Sequence, residues 1–148
     1  MAYIPPNAKW YLADLVEQIR VEGDSRIVVH VNTLLVRADS PEQAYEEAIR
    51  LGRENEQEYE NGDNKLVRIT FRGLRDLNVI HDELEHGAEL AYSEDVVGSE
   101  QEVQSLVRNR SDLAIFAERH PSAAPNYVAK WIIEKLREGD AEGLPDIQ

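Results

Sequence analysis

Ser40-Pro41-Glu42-Gln43 is the point that most narrows what this chain can fold into. A serine N-cap, a proline at the first helical position and a glutamine that can reach back form a capping box, which starts a helix. Just before it, Ile27–Ala38 is crowded with β-branched residues, a composition that suits a pleated strand and not a helix. Strand therefore gives way to helix at one defined residue. Ala44, Ala48 and Leu51 line one helix face, with Tyr45 and Ile49 beside them, and the small alanines let the helix lie close on a sheet. Gly52 ends the helix or marks its last turn.

The flanking segments extend this pattern. Tyr11, Leu12, Leu15, Val16 and Ile19 fit a helical stripe, whereas Tyr11, Ala13, Leu15, Ile19 and Val21 alternate as a strand would. The polar turn Glu22–Arg26 and the strand after it favour the second reading, a long antiparallel hairpin. Glu54–Asn64 is polar and ends in the turn signature Asn61-Gly62-Asp63. Lys65–Phe71 alternates as a half-buried strand, Leu74–His86 is less regular, and Ala88–Val97 reads as a further strand. The expected body is α+β: an antiparallel sheet in the order strand–strand–helix–strand–strand, with one packed helix.

A helical C-terminal extension follows. Ser99–Glu102 is a second capping box, opening a helix expected to run to about Asn109. Asp112–Glu118 reads as a short helical piece. Asn126–Arg137 is amphipathic, with Val128, Trp131, Ile132 and Leu136 at helical spacing. The expected division is 1–98 for the α+β domain and 99–148 for an extension that packs on it or on a second copy. Residues 139–148 are expected to fray.

Charge and composition remove whole classes of function. The chain carries a formal charge of −13, and residues 1–98 hold 20 acids against 10 bases, so the acidity belongs to the main body. That argues against gripping nucleic acid through a basic face. It favours a basic protein partner, or serves solubility alone. The absence of cysteine excludes disulfides, thiolate zinc sites and cysteine nucleophiles. The N-terminus lacks a basic stretch followed by an apolar one, and no run has the ~20 apolar residues of a membrane span. A soluble cytoplasmic protein, without membrane association, is the expectation.

One ordered set of residues carries a likeness. It comprises Trp10-Tyr11-Leu12-Ala13, Arg37–Glu42 with Ala44, Tyr45 and Ala48, Leu51-Gly52, Phe71–Leu74, Leu84-Glu85, and Gly87–Leu90. Over about Lys9–Val97 the chain resembles the bacterial DUF4288 family, a domain of unknown function. The resemblance implies a small α+β domain of bacterial origin. It brings no reaction, cofactor or catalytic residue.

Candidate chemistry concentrates in Phe71–Leu90. Arg72 and Arg75 flank Gly73, where backbone can approach a ligand, and arginine forks recognise carboxylates and phosphates. With His81 they form the candidate ligand-binding set. The competing reading is internal pairing of these arginines with Asp76, Asp82 and Glu85. His81, Asp82, Glu85 and His86 are the candidate metal ligands. On a helix His81 and Glu85 would share a face while His86 lies 100° further round, unlike H-E-x-x-H. His30 and Asp14 are the distant donors that could complete such a set. His30 otherwise reads as an ordinary strand histidine. The serines occupy caps and turns, with no G-x-S-x-G elbow, P-loop or G-x-G-x-x-G. No catalytic residue and no cofactor is expected.

The favoured function is a small, acidic, non-catalytic protein-binding domain, of accessory or immunity type, whose acidic face meets a basic partner. Tyrosine and tryptophan are available as interface anchors. The alternatives are a metal-dependent or small-anion-binding enzyme centred on 71–90, and a structural homodimer joined by a sheet edge or by Asn126–Arg137.

Overall fold

The computed structural model describes residues 3–120 and 122–139. They divide into two compact units, one made of residues up to Ala91 with those from Ala124 onward, the other of Tyr92–Ala123.

The first unit is built on a four-stranded antiparallel sheet. Its strands are β1 (Trp10–Val21), β2 (Val28–Arg37), β3 (Gln57–Glu60) and β4 (Leu66–Val79), ordered β2-β1-β4-β3. Helix α1 (Pro41–Glu54) lies between β2 and β3 in sequence, so the chain crosses from one sheet edge to the other while the helix covers one face. The fold is α+β, as expected. Trp10–Val21 is a strand because it is the central one. It pairs with β2 from Trp10↔Arg37 to Ile19↔Val28, and with β4 from Tyr11↔Val79 to Val21↔Val67.

Strict alternation along β1 buries Tyr11, Ala13, Leu15, Glu17, Ile19 and Val21 on the helix side. Ala44, Ala48 and Gly52 of α1 are buried on that side. The helix lies so close that a Cβ on Gly52 would fall 2.5 Å from carbons of the Phe71 ring. Ser40 caps the helix, its Oγ accepting from Gln43 N at 3.1 Å, and Gln43 reaches back one residue beyond the cap, its Oε1 accepting from Asp39 N at 2.6 Å.

The apolar side chains of this face form two clusters. Tyr11, Ala13, Leu15, Val36, Ala38, Ala44 and Ala48 form the first, beneath α1. Ile19, Val21 and Val67 form the second, with Val28, Tyr59, Ile69 and Tyr127 packed against it. Full burial of a side chain such as Leu15 or Ile19 contributes about 1.5–3 kcal/mol.

Tyr127 belongs to the C-terminal segment, which returns to the sheet. Ala129 forms an antiparallel bridge with Asn61, and helix α3 covers Lys130–Arg137. Asn61 organises this end. Its side chain accepts from Asp63 N and Lys65 N and donates to the Asn126 carbonyl, each at 2.9 Å. The expected helix Asn126–Arg137 is thus shorter, its first residues being extended because they pair with the β3–β4 turn.

Two expected strand boundaries are corrected. Ala88–Val97 is not a strand. The place beside β4 belongs instead to Gln57–Glu60, which reads as a polar loop because it is an edge strand with little burial and so shows no apolar alternation. Phe71-Arg72-Gly73 does not end a strand either. β4 continues to Val79 through two register shifts against β1, and these make Arg72 and Arg75 the extra, bulged residues. Gly73, between them, sits at φ 136°, a backbone region that glycine alone enters readily.

In the second unit, α2 covers Glu100–Ser105, with Ser99 Oγ accepting from Glu102 N at 3.2 Å. This helix is shorter than the run to Asn109 that its pattern suggests. A single 3₁₀ turn at Arg110–Asp112 stands near the expected piece Asp112–Glu118, and the Arg110 guanidinium lies 4.1 Å over the Phe116 ring. The expected fraying falls on residues that, Gly139 apart, lie outside those described. No helix among the described residues is long and apolar enough to cross a membrane.

Candidate functional site

Glu17 breaks the apolar row of β1. It points to the same side as Leu15 and Ile19, between the two clusters, and is only 7% exposed. His30 of β2 is its cross-strand partner, and Asn32, opposite Leu15, lies on the same face one step along. The neighbouring Asn32 amide and His30 both favour the charged form of Glu17. Burial outweighs both and pushes the carboxyl above the usual range.

These polar groups lie in a cleft of about 910 Å³ on the helix side of the sheet. Glu17 and Ile19, His30 and Asn32, Gln57 and Tyr59, and Ile69 contribute from the four strands. The C-terminal segment supplies the other wall through Tyr127, Val128, Ala129, Trp131 and Ile132. Tyr127 is fixed from two directions. Its ring meets the His30 ring edge-on, with centroids 5.4 Å apart, and its carbonyl accepts from Tyr59 Oη. Burial raises the pKa of the Tyr59 phenol, and the adjacent Tyr127 adds to the effect. Trp131 remains 50% exposed. A smaller hollow of about 360 Å³ also touches Glu17 and Asn32, and is completed by Glu54, Asn55, Glu56 and Gln57.

The lining of this site is rich in side-chain oxygens and aromatic surface. Among the described residues no lysine or arginine lines either hollow, whereas Glu17, Asn32 and Gln57 offer side-chain oxygens. Tyr59, Tyr127 and Trp131 add aromatic surfaces, whose faces attract positive charge.

The residues singled out from sequence lie elsewhere. Arg72 and Arg75 are exposed at the two bulges of β4. Two of the three acids expected to pair with them have other partners: Asp76 accepts from Leu77 N and Asn78 Nδ2, and Asp82 from Glu89 N. His81 is exposed, with its ring stacked 6.5 Å from that of Tyr3. Glu85 and His86 are exposed on the irregular segment after β4, and Leu84, Ala88 and Leu90 of that segment border a hollow with Leu12 and Leu35. Among the described residues no three His, Asp or Glu side chains gather as a metal site would require. The two distant donors considered, His30 and Asp14, occupy opposite faces of the sheet, and Asp14 accepts from Thr33 Oγ1 at 2.7 Å.

Sequence reasoning missed Glu17, Asn32 and Gln57 as site residues, and reached Tyr59, Tyr127 and Trp131 only as aromatics available for an interface. The signal for Glu17 was present, since it is the one acid in the alternating row Tyr11, Ala13, Leu15, Glu17, Ile19, Val21. Gln57 and Tyr59 had no such signal, and the position of Tyr127 depends on a return of the chain over more than sixty residues.

The family model for a domain of unknown function, DUF4288, matches residues 10–92, which span the whole sheet and α1. Neither the search of curated proteins nor that of solved structures found a match.

Proposed function

The chain belongs to the DUF4288 family, and we propose that it is a binding domain that holds a basic partner protein at the cleft of β1, β2 and the C-terminal segment. One observation carries the reading: a buried carboxyl, Glu17, in an aromatic-walled cleft with no lysine or arginine among its described lining residues. The net charge of −13 works in the same direction, by steering a basic partner toward the surface. An accessory or immunity-type role in the bacterial cytoplasm is the setting this reading supposes.

The test is a titration with a fluorescently labelled 20-residue peptide of lysine, arginine and glycine. Saturable one-to-one binding is expected, weakened by about tenfold or more between 50 and 300 mM salt as surface charge is screened. Glu17→Gln is expected to remove most of the affinity. Binding indifferent to both salt and Glu17→Gln, or no saturable binding, contradicts the reading.

A second reading rests on a different surface. β2 is an edge strand, paired only with β1, and its outward row exposes Val29 (57%), Val31 (40%) and Leu35 (47%). No acid interrupts Val28–Arg37, and charge is a usual guard against edge-to-edge pairing. Antiparallel pairing of two β2 strands would give a homodimer with a continuous sheet. Light scattering that shows a dimer, abolished by Val31→Lys, would support it, and a monomer at high concentration would exclude it.

A further inference from the structure

We infer that the cleft is a site for a guanidinium group, so that the anchor of the basic partner is an arginine side chain; this rests on the binding reading above. The acceptor set supports arginine over lysine. Glu17 presents a carboxyl, and Asn32 and Gln57 present amide oxygens, from three different strands around one space. A guanidinium carries five donors in a planar fork and can serve several such acceptors at once, whereas an ammonium is a compact charge with three donors.

Desolvation favours arginine as well. Glu17 is buried between two apolar clusters, so a cation that reaches it sheds much of its water. Guanidinium is more weakly hydrated than ammonium and loses less in that transfer. The half-exposed Trp131 and the half-buried Tyr127 both line the cleft and offer flat surfaces on which a guanidinium stacks. At about 910 Å³ the cleft exceeds what one side chain fills. The remaining space takes the backbone on either side of the arginine, alongside the β2 edge at Val29–Thr33 that also lines it.

The experiment follows the Trp131 indole N–H and the backbone amides by NMR during titration with three probes. These are N-acetyl-arginine methylamide, the lysine analogue, and the citrulline analogue, which keeps the shape of arginine without its charge. The arginine probe is expected to saturate at least about fivefold more tightly than lysine, with citrulline giving no saturable shift. Glu17→Gln, whose folding the same spectra report, is expected to abolish the arginine effect. Trp131→Ala is expected to weaken arginine more than lysine. Equal or tighter lysine binding, or an arginine effect unchanged in Glu17→Gln, overturns the assignment. If the 20-residue peptide still binds through Glu17 while the arginine probe shows no preference, the guanidinium assignment falls and the basic-partner reading stands. If the peptide ignores Glu17, both fall.

Discussion

Glu17 is held in a place that disfavours its charge, and this has a consequence for stability. A carboxyl whose folded pKa is raised binds its proton more tightly in the folded chain than in the unfolded one. Its contribution therefore becomes less favourable as pH rises from the ordinary carboxylate value through the raised one, and the penalty persists above. Glu17→Gln is expected to be more stable than the parent at neutral pH, with the advantage shrinking as pH falls. Urea denaturation of both proteins from pH 4 to pH 8 measures this, and parallel pH profiles would refute it. Asp24 has the opposite sign. Hydrogen bonds from Arg26 hold its pKa down to about 2, so any support it gives is present above the ordinary value and lost as pH falls toward 2. Gly52 is constrained by space instead: Gly52→Ala sets a methyl 2.5 Å from the Phe71 ring and is expected to cost about 1–3 kcal/mol in denaturant unfolding. Of these residues, Glu17 alone could have been recognised in the sequence, as an acid in an apolar alternating row. The neighbours of Gly52 and the placement of Asn32 beside Glu17 depend on packing and registers that local sequence does not specify.

At the scale of elements, legibility follows local chemistry. The capping box at Ser40 signals itself because cap and helix are consecutive, and Ser40→Ala is expected to destabilise the protein by about 1 kcal/mol through loss of the bond to Gln43 N. β3 is unreadable for the converse reason: its four residues form an edge strand that pairs with β4 and buries only Tyr59, in part. β4 is misread where Arg72-Gly73 resembles a terminus, because a bulge and a turn draw on the same glycine chemistry. The C-terminal segment shows an amphipathic helix in sequence, yet its docking runs through Asn61, which is 1% exposed. Asn61→Ala removes three hydrogen bonds around the β3–β4 turn, and is expected to cost about 2–3 kcal/mol, with faster hydrogen exchange at the amides of Val128 and Ile132. Unchanged exchange there would mean that apolar packing alone holds the segment.

For the whole molecule, the family-matched part and the C-terminal segment divide the work. The sheet brings the cleft its polar groups, Glu17, His30, Asn32 and Gln57, and residues from Tyr127 to Ile132 bring the opposite wall. Fold class and acidity were legible because they are sums over many residues. The site was not, because it joins strands distant in sequence to a segment that returns from beyond the matched region. Phe71–Leu90 concentrates residue types that do chemistry, but it ends one strand and then runs irregularly, while the buried carboxyl lies some fifty residues earlier. The claim that the cleft is the recognition surface is tested most directly by mapping amide shifts in the isotope-labelled protein as the lysine, arginine and glycine peptide is added. The account expects the largest shifts at Glu17, His30, Asn32, Gln57 and the Trp131 indole. Shifts centred on Arg72, Arg75 and His81, or scattered over the acidic surface without focus on the cleft, would contradict it.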